Sequence, residues 1–134
     1  MSRTILIVLS FGMLCTTIAR AADSPEAKKL LMERRNVLKE VNDVQRRGYE
    51  RGELQLPDLL LTNRDLLEAE LELTEDKSQR IAICERLVKT FEDIEAISQR
   101  RQASGEVTII DTLNSKAARL KAQARLANER QSSN

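Results

Sequence analysis

Histidine and tryptophan are absent from this chain of 134 residues, and aromatic residues make up only 2% of it. Without histidine, the chain lacks the side chain that most often serves as a general base or a metal ligand. With so few aromatic rings, an aromatic-lined ligand pocket is not expected. The abundant residues are alanine, leucine, glutamate, arginine and lysine, a composition typical of long helices rather than of a sheet.

The usual components of a catalytic site are also missing from the sequence. It contains no nucleophile and base at a recognisable spacing, no glycine-rich phosphate loop and no HExxH or CxxC motif. The acidic residues between positions 68 and 76 alternate around a helix and do not converge on a cation. The sequence therefore predicts a protein that is not an enzyme, with no catalytic, cofactor-binding or metal-binding residues, no cofactor and no small-molecule substrate.

The N-terminus has the three parts of a secretory signal peptide: Arg3, an apolar stretch over residues 5–19, and the small-residue pattern Ala19-Arg20-Ala21. We expect residues 1–21 to be removed by cleavage before Ala22. A retained membrane anchor is the less favoured alternative, because the stretch is shorter than the roughly 20 residues that span a bilayer. The predicted location is the periplasm or the outer membrane, with no transmembrane segment after cleavage.

The predicted mature chain has 20 basic and 21 acidic residues and a single cysteine, Cys84. This charge balance, together with export, disfavours nucleic-acid binding. One cysteine cannot form an internal disulfide. We expect Cys84 to be a small buried hydrophobic residue, with a disulfide-linked dimer as the alternative.

A tandem duplication organises the chain. Residues 52–73 recur at residues 105–126, where seven of the 22 aligned pairs are identical, and Gly105 follows Gly52 by 53 positions. Each copy has the form helix, glycine corner, helix. We predict an all-α fold in which two tandem helical hairpins form an elongated, coiled-coil-like bundle. Residues 22–130 form one domain with repeats at about 25–74 and 75–130, followed by a frayed tail at 131–134.

The helix boundaries follow from capping residues. Ser24 and Pro25 begin the first helix, which ends between Arg47 and Arg51, and the second helix begins near Leu56. Thr74-Glu75-Asp76 resembles a cap and acidic first turn, so a break is expected near residues 73–77; one unbroken helix is the alternative. Before the fourth helix, Thr108 and Asp111 have capping-box spacing.

Both corners resemble the repeated helical-hairpin motif of TolC-like outer-membrane efflux proteins. The resemblance is carried in the first copy by Tyr49, Gly52, Asp58, Leu60, Thr62, Leu66, Ala69 and Leu73, and in the second by Gly105, Asp111, Leu113, Ser115, Ala122 and Leu126. Gln102 stands in place of the tyrosine and Arg119 in place of one leucine. The resemblance implies periplasmic helical hairpins whose tips meet an adaptor protein. It covers only the helical part, because no strand pattern for a membrane barrel is present.

The corners contain the candidate partner-binding residues. Their arginines would form a basic patch if the hairpins lay side by side; the alternative is ordinary charge at helix C-termini. We expect Leu56 and Ile109 to cap the core, whereas Leu54 and Val107 either do the same or form a contact site. The full candidate set is Arg46, Arg47, Tyr49, Arg51, Gly52, Leu54, Asp58, Arg100, Arg101, Gly105, Val107 and Asp111.

The sequence thus favours an exported helical binding or structural module, an accessory part of an envelope or efflux assembly. Its partner is a protein of the cell envelope or a second copy that contacts the alanine-rich face of helix four. The alternative is a small periplasmic chaperone of the Spy and CpxP type, suggested by Leu73, Thr74 and Gln79.

Overall fold

A computed structural model describes residues 24–132. It contains four helices, α1 (Pro25–Glu50), α2 (Leu56–Leu73), α3 (Lys77–Ala103) and α4 (Ile109–Gln131), and residues 24–132 include no strand. The all-α prediction is confirmed. The predicted signal peptide at residues 1–21 lies outside the described residues, and the tail predicted to fray from residue 131 still has Gln131 in α4.

Side-chain caps fix where the helices begin. The Ser24 hydroxyl accepts a hydrogen bond from the Ala27 amide at the start of α1. Thr108 and Asp111 form the predicted capping box at the start of α4. The break between α2 and α3 is also present, so the unbroken-helix alternative is wrong. Here Asp76, not Thr74, is the N-cap: its carboxylate accepts from the Gln79 amide at 2.8 Å.

The four helices form an open layer. Within residues 24–132, α1 packs on α2, α2 packs on α3 and α3 packs on α4, while α1 and α4 make no contact. Short connections make each neighbouring pair antiparallel. Both glycine corners, residues 51–55 and 104–108, therefore lie at the same end of the layer.

The core lies between α2 and α3. It consists of Leu67 and Leu71 from α2 and Ile83, Cys84 and Leu87 from α3, with Phe91 and Leu126 packed against it. Cys84 is buried, as predicted, and burial raises the pKa of its thiol above the ordinary value. No apolar side chain of α1 is fully buried, so α1 belongs to the fold without contributing to its core.

Polar contacts secure the two outer helices. Arg34 of α1 donates to Glu72 of α2 at 2.7 Å. On the other side, Glu95 of α3 is 7% exposed and accepts from Arg119 of α4. A guanidinium can bind a carboxylate and still pack its aliphatic stem against a neighbouring helix. These pairs position α1 and α4 at the edges of the layer.

Candidate interaction surfaces

The first corner ends α1 with a Schellman motif. Gly52 has a φ of 74°, in the left-handed region where an L side chain is disfavoured. Its amide donates to the Tyr49 carbonyl, and the Glu53 amide donates to the Gly48 carbonyl, both at 2.9 Å. This pair of bonds satisfies the last helical carbonyls and reverses the chain.

The second corner repeats that geometry. Gly105 has a φ of 79°, its amide donates to Gln102 at 3.0 Å, and the Glu106 amide donates to Arg101 at 2.8 Å. The duplication has therefore retained one backbone turn. The positive φ explains why both copies have glycine here, without reference to any partner.

Three of the five corner arginines are paired with nearby carboxylates. Arg51 binds both carboxylate oxygens of Glu53, at 2.7 and 2.6 Å, and this pairing lowers the pKa of Glu53. Arg46 pairs with Asp43, and Arg101 pairs with Glu106. Arg47 and Arg100 lie exposed in the last turns of α1 and α3. The corners share one end of the layer, but much of their basic charge is compensated locally.

The apolar corner residues differ from expectation in one respect. Leu54 and Val107 are half-buried. Leu54 packs over Gly48, where an added Cβ would lie 2.5 Å from its Cδ1 atom. The prediction that Leu56 and Ile109 cap the core is wrong, because they are 37% and 54% exposed. Each is the first residue of its helix.

Of the other candidates, Tyr49 is 42% exposed at the end of α1. Asp58 and Asp111 lie exposed in the first turns of α2 and α4, where a negative charge is stabilised by the helix dipole. Asp111 also accepts from the amide and hydroxyl of Thr108. Asp111 therefore has a structural role at the start of α4.

Two larger candidate surfaces are apolar stripes on the outer helices, α1 and α4. The α1 stripe consists of exposed apolar side chains at spacings of seven, four and three residues: Leu30, Val37, Val41 and Val44. The α4 stripe follows a strict three-four repeat of exposed residues: Ile110, Leu113, Ala117, Leu120, Ala124 and Ala127. Such uncovered apolar faces mark interaction sites when they are contiguous.

The sequence marks both stripes as apolar helix faces but does not show whether they are buried. A signal for exposure is present in α1, where Leu30 and Val37 are each followed by another apolar residue, Leu31 and Leu38. Successive helical residues diverge by about 100°, so these pairs cannot all face one neighbour. In the structure Leu31 and Leu38 are half-buried, whereas Leu30 and Val37 are exposed.

Within residues 24–132, no helix has the length and apolar character needed to span a membrane. The same part of the chain holds no cluster of three or more potential metal-ligating side chains. Comparison of the chain with models of known protein families, with curated proteins and with solved structures finds no match.

Proposed function

We propose that this chain is an exported, non-enzymatic helical module that binds other proteins and contributes to an assembly of the cell envelope. The observation that carries the proposal is the pair of uncovered apolar stripes on α1 and α4. A helix normally buries its apolar face against another element, and these two faces are exposed. Here the layer stays open between α1 and α4.

The hairpin corners supply a second contact region in this proposal. Both corners lie at one end of the layer, and each presents a half-buried apolar residue, Leu54 or Val107, beside an exposed one, Leu56 or Ile109. The resemblance of the repeats to TolC-like hairpins supports an adaptor-like envelope protein as the partner at this end.

A second candidate function is a small periplasmic chaperone. It is favoured by the same exposed stripes, since apolar helix faces can hold the apolar segments of unfolded clients. A client-aggregation assay separates the two functions. Suppression of aggregation at equimolar protein, lost when Val41 and Leu113 are both changed to serine, would support the chaperone and count against a dedicated envelope partner.

The corner site is tested with the double variant Leu54→Ser and Val107→Ser. Both glycines and the capping residues remain, so the helical content is expected to match that of the wild type. We expect the variant to lose capture of a defined envelope protein, identified by mass spectrometry after cross-linking in intact cells.

Export is tested by fractionating the cells. Recovery of this chain from the periplasmic or outer-membrane fraction, with an N-terminus at Ala22, would support export.

Leu61→Ser is the matched control, because Leu61 is 41% exposed on α2 and lies outside both corners. Capture must be retained in this control. If the corner variant also retains full capture, the corners are not the binding site. If its melting temperature falls sharply, Leu54 and Val107 serve the fold instead.

A further inference from the structure

The internal duplication relates the two exposed stripes to an interface that the chain already contains. Repeat one consists of α1 and α2, and repeat two consists of α3 and α4, with equivalent positions 53 residues apart. The second helix of repeat one, α2, packs on the first helix of repeat two, α3. The helices equivalent to α2 and α3 are α4 and α1.

The α4 stripe is the counterpart of the α2 surface that contacts α3. Leu67 is completely buried in that interface, and its equivalent, Leu120, is 49% exposed. Leu71 is likewise completely buried, and its equivalent, Ala124, is exposed. In α4 the apolar pattern of the interface is present, but its partner helix is not.

The α1 stripe is the counterpart of the α3 surface that contacts α2. Ile83 is 9% exposed, and its equivalent, Leu30, is 60% exposed. Thr90 is 4% exposed and accepts a hydrogen bond from Asn63 of α2, whereas its equivalent, Val37, is 54% exposed. The first helix of the chain therefore carries the other half of the same interface.

We infer that copies of this chain associate head to tail, with α4 of one copy packed on α1 of the next in the manner of α2 on α3. This inference rests on the proposed function as a structural module and identifies one partner, a second copy of the chain. The contact would cover both stripes at once. It would also continue the order of the helices, so that α1 of the next copy follows α4 as α3 follows α2.

Charge complementarity supports this pairing. Glu26, Glu33 and Glu40 each lie four residues before a member of the α1 stripe, and none forms an ion pair within the described residues. On α4, Lys116 lies between Leu113 and Leu120 and is also unpaired there. Glutamates line one side of the α1 stripe, while Arg34 on its other side is paired with Glu72, and cations border the α4 stripe.

The internal interface between α2 and α3 also predicts the register in which α4 of one copy would pack on α1 of the next. Glu70 of α2 pairs with Arg86 of α3 at 3.7 Å. The equivalent positions are Gln123 on α4 and Glu33 on α1. Seven residues from these positions in the same antiparallel alignment are Lys116, which precedes Gln123, and Glu40, which follows Glu33. Lys116 of one copy would therefore face Glu40 of the next and form an ion pair between the copies.

The same charges disfavour a symmetric dimer. A contact of α1 with α1 would bring two rows of glutamates together. A contact of α4 with α4 would bring together the unpaired cations on both sides of its stripe, Lys116, Lys121 and Arg125. A heterologous contact leaves one free stripe at each end, and so produces either a closed ring or an open chain of copies.

The test uses the full-length gene, with the protein purified as the cell processes it. Val37→Arg blocks the α1 stripe, and Leu120→Arg blocks the α4 stripe. Both side chains are exposed in a single copy, so circular dichroism should be unchanged. Sedimentation equilibrium should show that the wild type associates and that each variant alone associates at least about tenfold more weakly.

Mixing the two variants gives the decisive result. The Val37→Arg chain retains a functional α4 stripe and the Leu120→Arg chain a functional α1 stripe, so an equimolar mixture should form a 1:1 complex that grows no further. Leu61→Arg, an exposed α2 position outside both stripes, should associate like the wild type. Glu40→Lys and Lys116→Glu should each weaken association, and a chain carrying both should recover it.

A wild type that stays monomeric at all concentrations overturns the inference, as does a mixture that forms no complex. A Val37→Arg or Leu120→Arg chain that dimerises as well as the wild type would show a symmetric contact instead. Self-association and capture of the envelope partner can fail separately, because the corner variant leaves both stripes intact. A wild type that is monomeric but still captures its envelope partner would contradict the self-association and not the proposed function.

Discussion

Leu67 and Leu120 occupy equivalent positions of the two repeats, yet Leu67 is completely buried and Leu120 is half exposed. The sequences around them are similar, so local propensity does not cause the difference. Leu67 lies on a helix with a neighbour on each side, whereas α4 is the last helix of an open layer. Position in the layer, rather than residue type, determines what each leucine contributes to stability.

Leu67→Ala is therefore expected to lower the free energy of unfolding by about 2 to 5 kcal/mol, through lost burial and a residual cavity. Leu120→Ala should change it by less than about 0.5 kcal/mol in a single copy. Urea unfolding at low protein concentration measures both. Equal losses for the two variants would show that α4 has a covering partner within the chain.

Alanine at either corner glycine should destabilise through the backbone alone. A Cβ at Gly52 or Gly105 would meet no atom within 4 Å, but both residues have positive φ. The left-handed conformation costs an L residue about 1 to 2 kcal/mol. Thermal unfolding of Gly105→Ala should show that loss. Gly105→Asn is the control and should lose less, because asparagine tolerates this conformation better.

The pair formed by Glu95 and Arg119 should contribute more than an exposed ion pair. Their side chains are 10% and 21% exposed, so Arg119→Ala leaves a largely buried carboxylate with only the 3.3 Å hydrogen bond from the Gln99 amide. The expected loss lies between the about 1 kcal/mol of a surface pair and the about 5 kcal/mol of a fully buried one. A double-mutant cycle with Glu95→Gln measures the coupling. Additive losses would mean that the two groups act independently.

Stability should fall in acid because of the helix caps. The Ser78 hydroxyl and the Gln79 amide hold the pKa of Asp76 below its ordinary value of 3.8, and Thr108 does the same for Asp111. A carboxyl whose pKa is lower in the folded state stabilises the fold above its unfolded pKa, and this stabilisation is lost as pH falls through the folded pKa.

Asp76→Asn tests that pH dependence. Asparagine still caps the helix but does not titrate, so the variant should lose less stability than the wild type between about pH 5 and pH 2. Chemical unfolding across this range provides the measurement. An unchanged pH profile would show that other carboxylates cause the acid loss.

The sequence predicted the helices well because their signals are local. Ser24, Asp111 and the corner glycines satisfy backbone groups within a few residues of themselves, and their geometry follows from those contacts. The exposure of Leu30 and Leu120 was not predicted. An apolar stripe shows that a helix face is suited to packing, but its burial depends on which helices the topology brings together, and that is a non-local property.

The same limit applies to the corners. The positive φ of Gly52 and Gly105 follows from their position after a helix. The pairing of Arg51 with Glu53, and of Arg101 with Glu106, depends on side-chain placement around the turn. Counting arginines left two alternatives open, a basic patch or ordinary charge at helix C-termini, and neighbouring carboxylates compensate part of that charge.

The lack of a fully buried apolar side chain in α1 has a consequence for how the molecule opens. Segments with little buried apolar contact unfold locally at a lower free energy than the core does. The amides of α1 are therefore expected to exchange with solvent through a partial opening that leaves α2, α3 and α4 folded. A neighbouring copy docked on α1 would suppress that opening, so that the first helix of each chain would gain its protection from the chain beside it.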